Sequence, residues 1–294
     1  MPVLQFENLI IQIALTFAAL TGISKSVVPE ALCTLPNVLK ENSGMVAWGD
    51  TLLWFINDSG NQPKLYAVNT RCEIVKEVWV NGAENVDWED MAQDKEGNIF
   101  IGDIGNNSNK RKTLVIYKIS KADLLACTDS VNPVVSICFF YKNQDKYPPD
   151  SDKKYFDAEA LFFYNDSLSL ITKNRTYPFD GKAYYYRIPA ESGHYALMPA
   201  DSLFTGLGLM ELHWISGADI WSDNHLIAIG YDKLFLIEID KFEKTISIGL
   251  GRWDQFESVA SGERYIYISN EKNKKNKATL YRIDKKTLEF MIKN

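Results

Sequence analysis

Five recurrences of a short-strand pattern, a near absence of helical periodicity, and Gly/Asn/Asp turns between the strands predict an all-β chain, a β-propeller of four-stranded antiparallel blades. The innermost segments are "SGMVAW", "WEDMAQ", "AEALFF", "GADIWS" and "ESVASG", with apolar anchors at Met45, Met91, Leu161, Ile220 and Val259. Nine to eleven residues on come "LLWFINDSGN", "NIFIGDIGNN", "LSLITKNR", "HLIAIGYDK" and "YIYISNEKN", anchored at Ile56, Ile101, Ile171, Ile229 and Ile268. A third segment follows in each unit, "KLYAVN", "VIYKIS", "YYRIP", "FLIEID" and "TLYRID", anchored at Val68, Ile119, Ile188, Ile239 and Ile283. Most units add a fourth, such as "EIVKEVWV", "VVSICFFY" or "KTISIGLG". The third anchors recur at 51, 69, 51 and 44 residues, in or near the range of propeller blades. Each unit has two apolar faces, and stacking around an axis buries both. Five blades are visible, and a sixth has room in the interval 119–188 or in part from residues 27–42. The last segment, "TLEFMIKN", reads as a closing strand with no second domain after it.

The 294 residues, 46% hydrophobic and 13% aromatic, suffice for a large core. A net charge of −6 lacks the basic field that phosphate binding needs, which argues against nucleic acid as a partner. The basic clusters "NKRK" (109–112) and "EKNKKNK" (271–277) read as solvated turns. Residues 1–26 read as a signal peptide: the apolar run 9–20 has the length of a signal core, and Ser24-Lys25-Ser26 is a weak cleavage pattern before Val27. The region before the run carries Glu7 and no Lys or Arg. Residues 27–294 then form a single domain, expected as a monomer that is secreted, periplasmic or at the cell surface, with no transmembrane segment once the signal is removed.

Cys33, Cys72, Cys127 and Cys138 have no C-x-x-C spacing and no nearby His, which disfavours zinc. Export makes disulfides reasonable, and Cys127 with Cys138 is the favoured pair; buried free thiols are the alternative.

In a propeller the first strand of each blade lines the channel, and the loop leaving the second strand returns to one face. Two columns therefore converge. The first holds Ser43, Glu89, Glu159, Ala218 and Glu257, with Asp87, Asp90 and Asp157 beside it; the second holds Asp58, Asp103, Lys173, Tyr231 and Asn270. Carboxylates around one axis repel unless protonated, bonded to backbone N–H groups, or shared by a cation. Three readings stay open: acids that fix the blade turns, a cation site, and a catalytic carboxylate set. For a cation, oxygen donors without His or Cys suit Ca²⁺, with Glu89, Asp103, Glu159 and Asn270 as ligands. For catalysis, Asp90, Asp157 or Glu257 is the base. Asp58, Lys173, Tyr231 and Trp88 are candidate ligand contacts, set against core packing for Trp88 and a salt-bridge role for Lys173. His194, His213 and His225 fit neither a metal triad nor a Ser-His-Asp arrangement, and no G-x-S-x-G elbow is present.

The segments "ENSGMVAWGDTLLWFINDSGNQPKLYAVN", "NVDWEDMAQDKEGNIFIGDIGNN", "FDAEALFFYNDSLSLITKN" and "FESVASGERYIYISNEK" together resemble a group of secreted bacterial β-propeller proteins common in Bacteroidetes. The shared pattern is E-x-S-G, N-D-S-G, D-W-E-D, G-D-x-G-x-N, D-A-E-A and T-K, in order, over the chain after residue 35. The resemblance implies a propeller and export and carries no known activity. Members often add a carboxy-terminal sorting module, not recognisable here, and "ISGADIWSDN" departs from the pattern by lacking the central acid. More distantly, gluconolactonase-like and phytase-like propellers hold calcium with channel Glu, Asn and Asp, an analogy of fold alone. The resulting expectation is a binding or scaffold protein that uses one propeller face for a protein, glycan or small molecule. The alternative is a calcium-dependent hydrolase of lactones or phosphoesters.

Overall fold

The strands form five sheets, each with four antiparallel blade strands from the channel outward, in a computed structural model that describes residues 25–293. All of the expected signal peptide except Lys25 and Ser26 therefore lies outside the described residues. Blade one runs Asn42–Trp48, Leu52–Asn57, Lys64–Asn69, Ile74–Val80, and blade two Trp88–Gln93, Ile99–Asp103, Leu114–Ile119, Val135–Tyr141. Blade three comprises Asp157–Tyr164, Ser167–Lys173, Lys182–Pro189 and Asp201–Phe204, and blade four Gly217–Ser222, His225–Ile229, Lys233–Glu238 and Lys241–Gly249. Blade five takes Phe256–Ser261, Tyr265–Asn270 and Thr279–Asp284 from the end of the chain and its outermost strand, Glu30–Thr34, from the beginning. The five inner strands touch one another in sequence order and close the ring from blade five back to blade one.

Alternation along each strand sends one apolar set to each neighbouring blade, and an apolar cluster fills every blade interface. The described residues contain five blades and no sixth. The long interval 119–188 is instead an elaboration of blades one and two. It holds a short helix, α1 (Lys121–Ala126), and then Ser130–Val131, which adds in parallel to the outside of blade one. Ser120 caps α1 by accepting from the Asp123 N–H, and Lys76 Nζ donates to the Leu124 and Cys127 carbonyls at its other end. Blades two and four gain similar outer parallel strands, Gly193–Leu197 and Lys25–Ser26. Residues 27–42 supply the closing strand of blade five, which fastens the ring across its seam.

Two sequence expectations fail here. The segment "TLEFMIKN" belongs to a helix, α2 (Lys285–Lys293). Strand alternation would bury Leu288, Phe290 and Ile292 together, whereas Leu288 and Met291 pack inward at helical spacing and Phe290 stays 69% exposed. Asp284 starts the helix by accepting from the Lys286 N–H at 2.9 Å. The disulfide is Cys33–Cys72, with Cα atoms 5.9 Å apart, and Cys127 and Cys138 are free thiols. Cys127 ends α1, its thiol donating to the Leu124 carbonyl, while Cys138 sits mid-strand in blade two, so the short sequence interval does not bring them together. Cys33 lies on the closing strand and Cys72 on a turn of blade one, so the bond staples the seam. Its 39-residue separation is worth about 4 kcal/mol in the chain-entropy picture.

Candidate functional site at one mouth of the channel

The inner strands begin with a shared irregularity. In blade two, Trp88 pairs with Asp103 and Asp90 with Gly102, which leaves Glu89 as the extra residue of a β-bulge. Blade three skips Glu159 in the same way between Ala158 and Ala160, and blade five skips Glu257 between Phe256 and Ser258. Blade one has the equivalent break at Ser43 and Gly44. A bulge removes a residue from the ladder and re-aims its side chain. Here it turns Ser43, Glu89, Glu159 and Glu257 into one cavity of about 170 Å³ at the channel mouth. Blade four pairs Gly217 and Ala218 regularly with Ile229 and Ala228, so the blade without the central acid is also the one without the bulge at this position. Ser216 lines the cavity in its place.

The ends of the second strands supply the other wall. Asp58, Lys173 and Tyr231 reach the cavity as expected, joined by Asn107, Arg175, Gln255 and Glu271 from the adjoining loops. Lys173 Nζ lies 2.9 Å from Glu159 Oε2 and 3.5 Å from the Tyr231 hydroxyl. Arg175 pairs with Asp157 and reaches Glu159 at 3.4 Å. Both cations stack over the Trp214 ring, each 5.0 Å from its centroid. The indole is held by Nε1 donating to the Asn174 carbonyl at 2.7 Å. Trp253, half exposed, stands edge-on to Tyr231, and Tyr231 shares a hydrogen bond with Glu257.

Five carboxyl groups line the cavity, Asp58, Glu89, Glu159, Glu257 and Glu271, against two cations, Lys173 and Arg175. Burial and the nearby Glu159 and Asp58 push Glu89 well above the ordinary carboxylate range. Burial, then Asp58 and Asp157, carries Asp87 to about 6. Burial takes Glu159 to about 8 against the pull of Lys173 and, with Glu257 beside it, takes Glu271 to about 8. Burial opposes the charge on Lys173, but the surrounding acids, Glu159 first, hold its ammonium well above its usual value.

Several sequence candidates sit in the framework instead. Trp88 is 0% exposed between blades one and two, with Nε1 donating to the Glu84 carbonyl, because the residue before the bulge keeps the inward side of the pleat. It presents no face to the cavity. Asp90 is equally buried and accepts from three backbone N–H groups, those of Met91, Leu161 and Ala218, at 2.8, 2.9 and 3.1 Å. It ties blades two, three and four together at the axis and has no free oxygen for a base. Asp157 accepts from the Asn106 N–H at 2.7 Å as well as from Arg175. Asp103 accepts from the Asp87 N–H at 3.0 Å and pairs with Arg111 at 2.8 Å, below the cavity. Asn270 folds its own loop, donating to the Glu271 and Lys277 carbonyls and accepting from the Thr279 N–H. The expected calcium ligands Glu89, Asp103, Glu159 and Asn270 therefore do not form one shell; only Glu89 and Glu159 converge, together with Asp157.

Arg111, Arg175, Glu271 and Ser216 escaped sequence reasoning. Arg111 was hidden in "NKRK", where it also donates to the Gly105 carbonyl at 2.7 Å, so that cluster is not merely a solvated turn. Arg175 stands two residues after Lys173, on the same side of an extended segment, and that spacing was a readable signal. The other basic loop behaves as expected: its lysines are exposed, while Asn273 and Asn276 donate to Asp254.

No family model and no curated protein matches this chain. Solved structures similar to it include the WD40 β-propeller domain of Doa1, with a TM-score of 0.44 and 10% identity over 86% of this chain and 96% of that one. A glucose dehydrogenase gives 0.48 and 11% over 85% and 98%, and a nidogen/laminin complex 0.46 and 10% over 78% and 72%. Among the described residues no helix is long and apolar enough to cross a membrane.

Proposed function

We propose that this chain is a ligand-binding propeller, exported from its cell as a member of the secreted bacterial group its motifs resemble, and that its ligand is held at the mouth described above. The observation that carries this reading is the set of bulged glutamates. Three of five blades interrupt their ladders to aim a carboxyl group into one cavity, and the cavity's own cations do not balance them. A framework function would use donors and acceptors in matched number, as Asp90 does. The aromatic wall of Tyr231 and Trp253 adds a contact surface beside the charges. The disulfide across the seam supports an oxidising compartment. Of the three expected base residues, Asp90 and Asp157 are engaged in framework contacts and only Glu257 lines the cavity, so the bulged acids and the aromatic wall favour binding over hydrolysis.

The test is a thermal-shift panel of oligosaccharides, peptides, small amines and metal salts on the mature chain, repeated on Ser216→Trp, which adds bulk at the cavity without altering a charge. That variant also removes the Ser216 hydroxyl's bonds to the Ile229 and Phe256 carbonyls, so it is checked for native circular dichroism. Compounds that bind this mouth raise the Tm of the parent and lose at least tenfold in affinity in the variant. Binders indifferent to Ser216→Trp would move the function to another surface.

A further inference from the structure

Glu89, only 7% exposed, faces the cavity without an ion pair or hydrogen bond among the described residues. The cations nearby are committed, Lys173 to Glu159, Arg175 to Asp157 and Glu159, and Arg111 to Asp103. One oxygen each from Asp58, Asp87 and Glu89 lie within 4.8 Å of one another. A second trio, Glu89, Asp157 and Glu159, meets the same spacing, but Lys173 and Arg175 already compensate it.

The structure around the first trio is built to keep these groups together. Asn85 donates to both the Asn57 and Asp58 carbonyls at 2.9 Å and accepts from the Trp88 N–H, locking the segment that bears Asp58 to the segment that bears Asp87 and Glu89. Gly105, from the "GDIGNN" turn, closes the third side, its N–H donating to the Asp87 carbonyl at 3.0 Å. A Cβ on Gly105 would stand 2.1 Å from Glu89 Oε1 and 2.5 Å from Asp87 Oδ2. A larger residue there would have to displace these carboxyl ends, so their convergence uses the space that the glycine leaves. Arg111 acts on Asp87 and Lys173 on Asp58 only through space, and among the described residues neither forms an ion pair with the trio.

We propose that Asp58, Asp87 and Glu89 hold a divalent cation of calcium's size beside the cavity, where it forms part of the surface that the ligand meets. This deepens the binding reading and rests on it. The donors are all oxygen, the preference of a hard ion. Two ligands of one ion stand apart by at most twice the metal–oxygen distance, roughly 4.6–5.2 Å for Ca²⁺ and roughly 4.0–4.2 Å for Mg²⁺. Calcium spans the whole permitted spread of this trio, and magnesium only its tighter part. The cavity leaves water or a ligand's hydroxyl and carboxyl oxygens to complete the shell.

The experiment uses the mature chain stripped with EDTA and titrated with CaCl₂ or MgCl₂ by calorimetry and thermal unfolding. The expected result is one site, a Tm rise of roughly 5 °C at a hundredfold excess of Ca²⁺ over Kd, and weaker binding of Mg²⁺. Glu89→Gln, Asp87→Asn and Gly105→Ala, each checked for native circular dichroism, should lose at least tenfold in Ca²⁺ affinity, while Asp223→Asn, exposed at the opposite end of the channel, keeps it. No Ca²⁺-linked shift in the parent overturns the proposal, as does a shift that survives in folded Glu89→Gln and Asp87→Asn. Failure here, with organic binders still sensitive to Ser216→Trp, removes the ion and leaves the cavity. Calcium binding without any such organic binder removes the ligand reading instead.

Discussion

Glu89 and Asp90 are sequence neighbours on one inner strand, equally acidic and almost equally buried, and the molecule uses them in opposite ways. Asp90 turns into the wall of the channel, where N–H groups of blades two, three and four saturate it. Glu89, displaced by the bulge, turns to the cavity and meets other carboxyl groups. A buried carboxylate surrounded by donors is structural, because each donor would otherwise be orphaned. One surrounded by acceptors raises the free energy of its own charged form and gains from any cation that arrives.

The sharpest break of this contrast is Asp90→Ala, which strands three buried N–H groups. Urea denaturation should show a loss of roughly 3–6 kcal/mol, and a loss below about 1 kcal/mol would mean that the three bonds do not hold the blades. Lys173→Met comes next: it leaves Glu159 buried without its nearest cation and should destabilise by roughly 3–5 kcal/mol. Adding Glu159→Gln should restore most of that, a coupling measurable in a double-mutant cycle. Glu89→Gln in metal-free protein should go the other way, unchanged or up to about 1 kcal/mol more stable, because burial and the neighbouring acids already disfavour the charged carboxylate and the neutral amide breaks no bond. A loss above about 2 kcal/mol in that variant would place Glu89 with Asp90 in the framework.

The last contrast is with pH. The Glu271 carboxyl is raised by burial from an ordinary 4.5 to about 8, so between these values the folded protein keeps a proton that the unfolded chain has released. Unfolding then releases a proton, and stability falls as pH rises through that window, levelling above about 8. Tm measured from pH 5 to 9 should slope downward, and Glu271→Gln should flatten the slope. An unchanged slope in that variant would assign the titration to other acids.

Much of this was legible in the sequence because it is local. Pleat alternation, turn residues and the spacing of apolar anchors depend on neighbours along the chain, and they located all five blades. The two columns correctly brought Asp58, Glu89, Glu159, Lys173, Tyr231 and Glu257 to one mouth. The same columns misjudged Asp103 and Asn270, whose hydrogen-bond partners lie in loops that alternation does not describe. Trp88 and Glu89 could not be sorted by period alone, since one inserted residue reverses the face of everything before it. The final segment mixed strand and helical spacing, and only packing against blades four and five chose the helix.

The sequence by itself determined the repeat, the all-β class and the acidic character of the channel mouth, because these follow from composition and short-range periodicity. Tertiary structure alone decided which cysteines bond, which strand closes the ring, and which of two adjacent carboxyl groups is satisfied. Each of those depends on contacts between residues dozens of positions apart, and on where the backbone of a neighbouring blade places its N–H groups.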